Sequence, residues 1–334
     1  MGERSVKVSI VTPLLNERDN VGELVEAVGA VMDAAGIKYE LILVDDGSTD
    51  GTLEQLRELQ KTRHYMKIIQ FRRNFGQTAA LAAGFDHARG EVIVPLDGDL
   101  QNDPADIPRL VARLEEGYDV VSGWRKKRQD KLLTRKIPSW IANKMIGIIT
   151  RVKLHDYGCT MKAYRHEVVE HLNLYGEMHR FIPALAHWSG ARVTEMEVNH
   201  RRRLRGQTKY GLSRTLKVVL DLVTVKFLGT FSNRPLHFFG GMGLLMLLGS
   251  FISGAAVVYM KYTSHSFQVP MNRNPLLVLT PMLLMVSVQF LLMGLLAEMM
   301  CRTYHESQNK PTYVIRKIYE PPAPEEGSGA DGED

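Results

Sequence analysis

Between residues 6 and 122, short apolar runs alternate with amphipathic stretches. Strands are predicted at 8–12, 41–44, 67–71, 92–96 and 119–122, with helices at 21–35, 52–61, 78–89 and 107–116. Runs such as ELILV (40–44) and EVIVPL (91–96) are almost wholly apolar, as strands buried on both faces are. This strand–helix alternation predicts an α/β fold: a mostly parallel sheet flanked by helices. The first strand pattern, with Lys7 and Ser9 alternating with apolar neighbours, starts almost at once, so no secretory signal peptide is expected.

The period then changes. After a basic entry (RKKRQDK), Ile137, Trp140, Ile141, Met145, Ile148 and Ile149 recur at helical spacing, and a second such stretch, 211–231, sets Arg214 and Lys217 beside Leu216, Val219, Leu220, Val223 and Phe227. Amphipathic helices near 134–152 and 211–231 are expected to lie on a membrane surface; on periodicity alone, ordinary core-facing helices fit equally well. Further on, no charge falls between Arg234 and Lys261, nor between Arg273 and Glu298. Each gap suffices for a bilayer-crossing helix of about 20 residues. Spans at about 235–260 and 275–298, within a 235–300 membrane region, would form a hairpin, with Ser250 and Gly254 as a small-residue contact. Lys226, Arg234, Arg302, Lys310, Arg316 and Lys317 flank its outer ends, against Lys261 and Arg273 in the link. That excess predicts a two-span protein of the cell membrane, with a catalytic body (1–230) and both termini cytoplasmic. Segment 301–319 ends in TYVIRKIY, which alternates like a strand and offers a pairing edge for a homo-oligomer.

Charge sharpens this picture. Of 37 Asp and Glu, six lie in the Pro- and Gly-rich tail 320–334, which has no Lys or Arg and is expected to be disordered. The remainder sets 42 basic against 31 acidic residues, a net charge of +11, which suggests anionic partners. Apolar helices interleaved with the basic runs favour lipid and phosphate over nucleic acid, and no nucleic-acid partner is expected. Two distant cysteines, Cys159 and Cys301, suit a reducing compartment, with Cys159 read as a small buried residue. The first turn has no G-x-G-x-x-G and the chain no G-x-x-x-x-G-K-[ST], which argues against dinucleotide dehydrogenases and P-loop ATPases.

The chemistry gathers in VDDGSTDGT (44–52) and LDGDLQNDP (96–104), each closing an apolar run. Ser48, Asp50 and Asp103 suit helix N-caps. Asp45–Asp46 and Asp97–Asp99 are different: acids at strand ends repel one another unless a cation or a ribose hydroxyl satisfies them. With Gln101, they suit a hard Mg2+ or Mn2+ ion that leaves positions for water and phosphate.

Taken together, TPLLNERDN, VDDGSTDGT, FRRNFGQTAALAAGF, LDGDLQNDP and NHRRRLRGQTKYG resemble the family 2 glycosyltransferases. More closely they resemble the branch that glycosylates polyprenyl phosphates, which includes dolichyl-phosphate mannose synthases, bactoprenol glucosyltransferases and undecaprenyl-phosphate formamido-arabinose transferases; HDYGCTMKAYR is most like the last. The resemblance implies a GT-A type nucleotide-sugar-binding domain and a metal-dependent, inverting transfer of one sugar from a nucleotide-sugar (UDP preferred, GDP second) to undecaprenyl or dolichyl phosphate. It implies that Pro13, Asn16, Glu17, Asp45 and Asp46 line the nucleotide pocket, with Gln77 at its border. Asp97, Asp99 and Gln101 would hold the metal, and Arg203 and Lys209 would cover the diphosphate. Arg125, Arg128, Arg135 and Ser139 would bind the acceptor phosphate, and Asp156 would steer it or accept a residual proton. Many relatives carry a second acid where this chain has Cys159, which disfavours a two-acid mechanism. Two other readings are a processive polysaccharide synthase, for which Q-x-x-R-W is lacking, and a non-catalytic membrane-anchored scaffold, which would be expected to lose the acids.

Overall fold

The computed structural model describes residues 6–126, 147, 150, 152–170, 172, 174, 178–201, 235–263, 274–307 and 313–322. The expected surface helices near 134–152 and 211–231 lie almost wholly outside these residues. Strands β1 (Val8–Leu14), β2 (Tyr39–Asp45), β3 (Met66–Phe71) and β4 (Val92–Pro95) alternate with helices α1 (Arg18–Ala34), α2 (Thr52–Gln60), α3 (Gln77–Asp86) and α4 (Ile107–Glu115). Then follow β5 (Val120–Trp124), β6 (Lys162–Arg165), α5 (His166–Glu170), α6 (Ile182–Trp188), β7 (Val193–Glu197) and, after the apolar helices, β8 (Ile315–Tyr319).

The eight strands form one sheet in the order β7-β5-β6-β4-β1-β2-β3-β8. β4, β1, β2 and β3 run parallel, whereas β6 pairs antiparallel with both β4 and β5, and β8 antiparallel with β3. The chain steps outward from β1 to β2 and β3, then returns to place β4 on the other side of β1. That reversal opens a crevice at the carboxyl ends of β1 and β4, the place where open α/β sheets bind ligands.

Packing follows the sequence pattern. In α1, Val21, Leu24, Val25, Val28 and Met32 fall on one stripe and are fully buried against the sheet. The small-residue run of α3 buries Thr78, Ala79, Ala80, Leu81, Ala83, Gly84 and Phe85, so this helix lies close on the strands and brings its first residue, Gln77, to the crevice.

α7 (Pro235–Thr263) and α8 (Pro275–Ser307) form a separate unit. Within them, Phe239–Tyr262 and Pro275–Ala297 are long and apolar enough to cross a membrane. Ser250 Oγ donates to the Thr280 carbonyl at 2.9 Å, Thr280 Oγ1 to Ser253 Oγ at 2.9 Å, and Ser287 Oγ to the Gly243 carbonyl at 2.8 Å. Small hydroxyl residues thus bring the two backbones together, and Gly254 also faces Thr280.

The closing strand forms, but its partner is β3 of the same chain, in the register Ile68↔Tyr319 and Ile69↔Ile318. β8 thereby takes the end position of the sheet, with one of its edges on β3.

Candidate active site

Loops leave the carboxyl ends of β1, β2 and β4, and the first two are tied together by backbone-directed hydrogen bonds. The amide of Asn16 donates to Ser48 Oγ at 3.0 Å, and its side-chain Oδ1 accepts from the Thr49 amide at 2.9 Å. The Glu17 amide donates to Thr52 Oγ1 at 3.0 Å, while the Glu17 carboxylate accepts from Asn20 Nδ2 at 2.6 Å. Ser48 thus joins two loops instead of capping a helix. Asp50 accepts from the amides of Arg18 and Thr52, and Asp103 accepts from the Ala105 amide at the head of a helical turn. Both serve backbone starts, as their positions suggest.

Asn16 (φ 54°) and Leu100 (φ 59°) are, among the described residues, the non-glycine residues with left-handed backbones. One follows β1 and the other β4. Such conformations are uncommon outside glycine, and their clustering at one crevice matches where functional sites store strain.

The two acid pairs divide by what surrounds them. Asp46 Oδ1 accepts from the Phe75 amide at 2.6 Å and Oδ2 from the Gly76 amide at 2.9 Å. Asp45 Oδ1 accepts from the Ser48 amide at 3.1 Å. Burial pushes both carboxyls above their ordinary range, against the pull of these bonds. Gly47 (φ 76°) lets the loop turn here: a Cβ on it would lie 2.8 Å from the Arg73 carbonyl carbon. Asp46 therefore fastens the 73–76 loop, which sets the start of α3.

Asp97 instead meets side chains. Its Oδ1 accepts from Gln77 Nε2 at 3.0 Å, Asn102 Nδ2 approaches Oδ2 at 3.5 Å, and Thr160 adds a further bond. Burial, then the charge of Asp99, raise its pKa, while Arg125 and Lys162 draw it down. Gly98 sits between the two acids with its α-carbon against β1: a Cβ there would lie 2.5 Å from Leu14 Cδ2. Asp99 Oδ1 accepts from the Gln101 amide at 3.2 Å. Among the described residues no three His, Cys, Asp or Glu side chains converge on one point. Two mutually repelling carboxylates with Gln101 close in the chain nevertheless fit a hard divalent cation that takes its other ligands from water and phosphate.

Asp156 was expected to handle the acceptor's proton, and Arg125 its phosphate. The two form a bidentate pair, Nε to Oδ2 at 2.7 Å and Nη2 to Oδ1 at 3.0 Å, and the Gly158 amide also donates to Asp156 Oδ1. Both side chains are largely buried, at 13% and 4% exposure. This fork engages both carboxylate oxygens and orients the guanidinium. Cys159 is fully buried, as expected, and burial raises its thiol pKa.

The sequence did not point to Lys162. It stands on β6, 2% exposed, with Nζ bonded to the carbonyls of Cys159 and Tyr157, and burial lowers its pKa. Nor did it show how the basic run NHRRRLRGQTK approaches the site. The Arg201 amide donates to the Gln101 carbonyl at 2.8 Å, Asn102 bridges His200, and the Asn199 amide donates to Asp106 Oδ2 at 2.6 Å. That run therefore begins on the Asp97–Gln101 loop. Of the expected residues, Pro13, Asn16, Glu17, Asp45, Asp46, Gln77, Asp97, Asp99 and Gln101 cluster around the crevice; Arg128, Arg135, Ser139, Arg203 and Lys209 lie outside the described residues.

A parallel β4-β1-β2-β3 core with acids at its carboxyl ends is the arrangement of a GT-A type glycosyltransferase. The model of "Glycosyl transferase family 2" matches residues 9–172. The chain is 46% identical, over 95% of its length and 94% of the relative's, to the dodecaprenyl-phosphate galacturonate synthase of Rhizobium johnstonii (strain DSM 114642 / LMG 32736 / 3841). It belongs to glycosyltransferase family 2 and is a glycosyltransferase. Among solved structures, glucosyl-3-phosphoglycerate synthase from Mycobacterium tuberculosis with Mn2+, UDP and phosphoglyceric acid is similar with a TM-score of 0.53 at 18% identity, over 66% of this chain and 78% of that one. The same enzyme with phosphoglyceric acid alone scores 0.53 at 17% identity, over 67% and 80%. At such identities the likeness concerns the fold.

Proposed function

We propose that this glycosyltransferase moves a single sugar, with inversion, from a nucleoside-diphosphate donor to polyprenyl phosphate at a membrane. One observation carries the reading: the Asp97–Asp99 loop at the β1/β4 crevice and two bilayer-length apolar helices occur in one chain, matched end to end by a polyprenyl-phosphate sugar synthase. The relative's name makes a galacturonosyl donor the first to test, as a UDP derivative before a GDP one.

Asp97, Asp99 and Gln101 would hold Mg2+ or Mn2+, which when bound neutralises the departing diphosphate. Gln77 keeps Asp97 oriented, and Asp45, Asn16, Glu17 and Pro13 border the nucleoside. Arg203 and Lys209 would add positive charge over the diphosphate, where it is worth most in the transition state. The acceptor phosphate, with a second pKa of about 6, is largely dianionic at neutral pH. It needs no obligatory base, in accord with an Asp156 already committed to Arg125. Arg125, oriented by Asp156, would share the phosphate with Arg128, Arg135 and Ser139. A two-span cell-membrane topology with the body and both termini cytoplasmic follows from the Lys and Arg bias.

The test is transfer of radiolabelled sugar from UDP-galacturonate to an organic-extractable lipid by the purified protein with polyprenyl phosphate and Mn2+. Label in that fraction, lost on chelation, is expected. No label from any UDP- or GDP-sugar would sink the proposal. Arg135→Ala should raise the acceptor KM and leave the donor KM alone.

A further inference from the structure

Tyr313 belongs to the segment that re-enters the sheet after the apolar helices; its hydroxyl reaches the last residue of the helix that carries Gln77, and its ring lies on Phe71, just before the loop that leads into that helix. It is 7% exposed, stacks on Phe71 with centroids 5.2 Å apart and planes 12° from parallel, and donates from its hydroxyl to Asp86 Oδ2 at 2.6 Å. Asp86 is the last residue of α3 and Gln77 the first. Phe71 in turn meets the Phe75 ring edge-on at 5.6 Å, and the Arg73 guanidinium lies over that ring at 4.5 Å. The Arg72 amide donates to the Val314 carbonyl at 3.1 Å.

We infer that Tyr313 is a positioning residue for the donor site, fixing the 72–76 loop through Phe71 and the far end of α3 through Asp86, so that Gln77 meets Asp97. This rests on the reading of Asp97 as part of the donor site. The loop has its own anchor on one side, the Asp46 carboxylate bound to the Phe75 and Gly76 amides. On the other side the support comes from Tyr313. The neighbouring ladder explains why the ring arrives there. The β3–β8 register shifts between Gln70 and Phe71, and a bulge of this kind re-aims the residues that follow it. Further along, Gln60 Nε2 donates to the carbonyls of Met66 and Tyr319, both at 2.9 Å, and to that of Glu320 at 3.2 Å. The strand is thus pinned at its far end independently of Tyr313. Burial, then the Asp86 carboxylate, raise the phenol's pKa, which keeps it a donor throughout the working range.

The experiment uses the full-length protein in detergent and compares wild type with Tyr313→Phe, which keeps the stack and loses the bond, and Tyr313→Ala, which loses both. Hydrogen exchange is followed peptide by peptide, alongside donor and acceptor KM. Expected are faster exchange confined to 72–86 and a donor KM raised about fivefold in Tyr313→Ala and about twofold in Tyr313→Phe, with acceptor KM unchanged. Asp86→Asn, which keeps an acceptor oxygen, should behave as wild type. Unchanged exchange at 72–86 overturns the inference, as does faster exchange spread equally over β1 and α1, or equal rises in both KM values. If wild type transfers no sugar from any donor, the proposed function fails, and the exchange pattern alone then decides for or against the role of Tyr313. Should Tyr313→Ala fail to fold, Tyr313→Phe carries the same comparison.

Discussion

The acid pairs after β2 and β4 look alike in sequence, yet the fold uses them in opposite ways. Asp46 spends both oxygens on the amides of Phe75 and Gly76, and Asp45 accepts from the Ser48 amide. That pair holds backbone. Asp97 is met by the side chains of Gln77, Asn102 and Thr160 and faces the charge of Asp99, with Arg125 and Lys162 within electrostatic reach. Asp99 adds a bond from the Gln101 amide. Asp46, with both oxygens on backbone amides, builds the crevice; Asp97 is oriented by side chains beside a second carboxylate, as the proposed metal site requires.

If this division holds, substitutions should separate activity from stability. The largest effect is expected at Asp99: Asp99→Ala should lower kcat by about a thousandfold and leave the melting temperature nearly unchanged, measured by lipid-product formation and calorimetry on one preparation. A large loss of stability would erase the distinction. Asp46→Ala should do the reverse first. Leaving two amides unpaired in a 3%-exposed position costs about 3 kcal/mol, a fall of roughly 6–12 °C in Tm for a domain of this size, with activity following the folded fraction. Gln77→Ala tests the link between the pairs. Loss of a hydrogen bond to a carboxylate, about 1.5 kcal/mol, should reduce kcat/KM about tenfold, seen in donor kinetics. Smallest is Ser48→Ala, which frees the Asn16 amide and should lower stability by about 1 kcal/mol, a Tm shift of roughly 2–4 °C. A comparable loss of turnover there would mean that the β1–β2 loops contact donor more closely than their mutual bonds suggest.

Much of this protein could be read along the chain. The alternation of ELILV-like runs with stripes such as Val21, Leu24, Val25, Val28 and Met32 announces buried strands and one-faced helices, because the period of burial is local. The Asp97–Asp99 spacing at a strand end and the uncharged gaps after Arg234 and Arg273 are local as well, and they suffice to point to a diphosphate and a bilayer.

Four features are not local, and only tertiary structure decided them. Lys162 reads as one more basic residue until β6 inserts antiparallel between β4 and β5 and buries it. Asp156 reads as a free acid until the chain brings Arg125 onto it across 31 positions. TYVIRKIY reads as an edge looking for a partner until it closes on β3 of its own chain. Asp46 is indistinguishable from Asp97 until the 73–76 loop folds over it. In each case the sequence specifies a group's chemistry and its immediate register, while the partner that fixes its role is supplied by strand order, and strand order is set by long-range packing that no short window of residues contains.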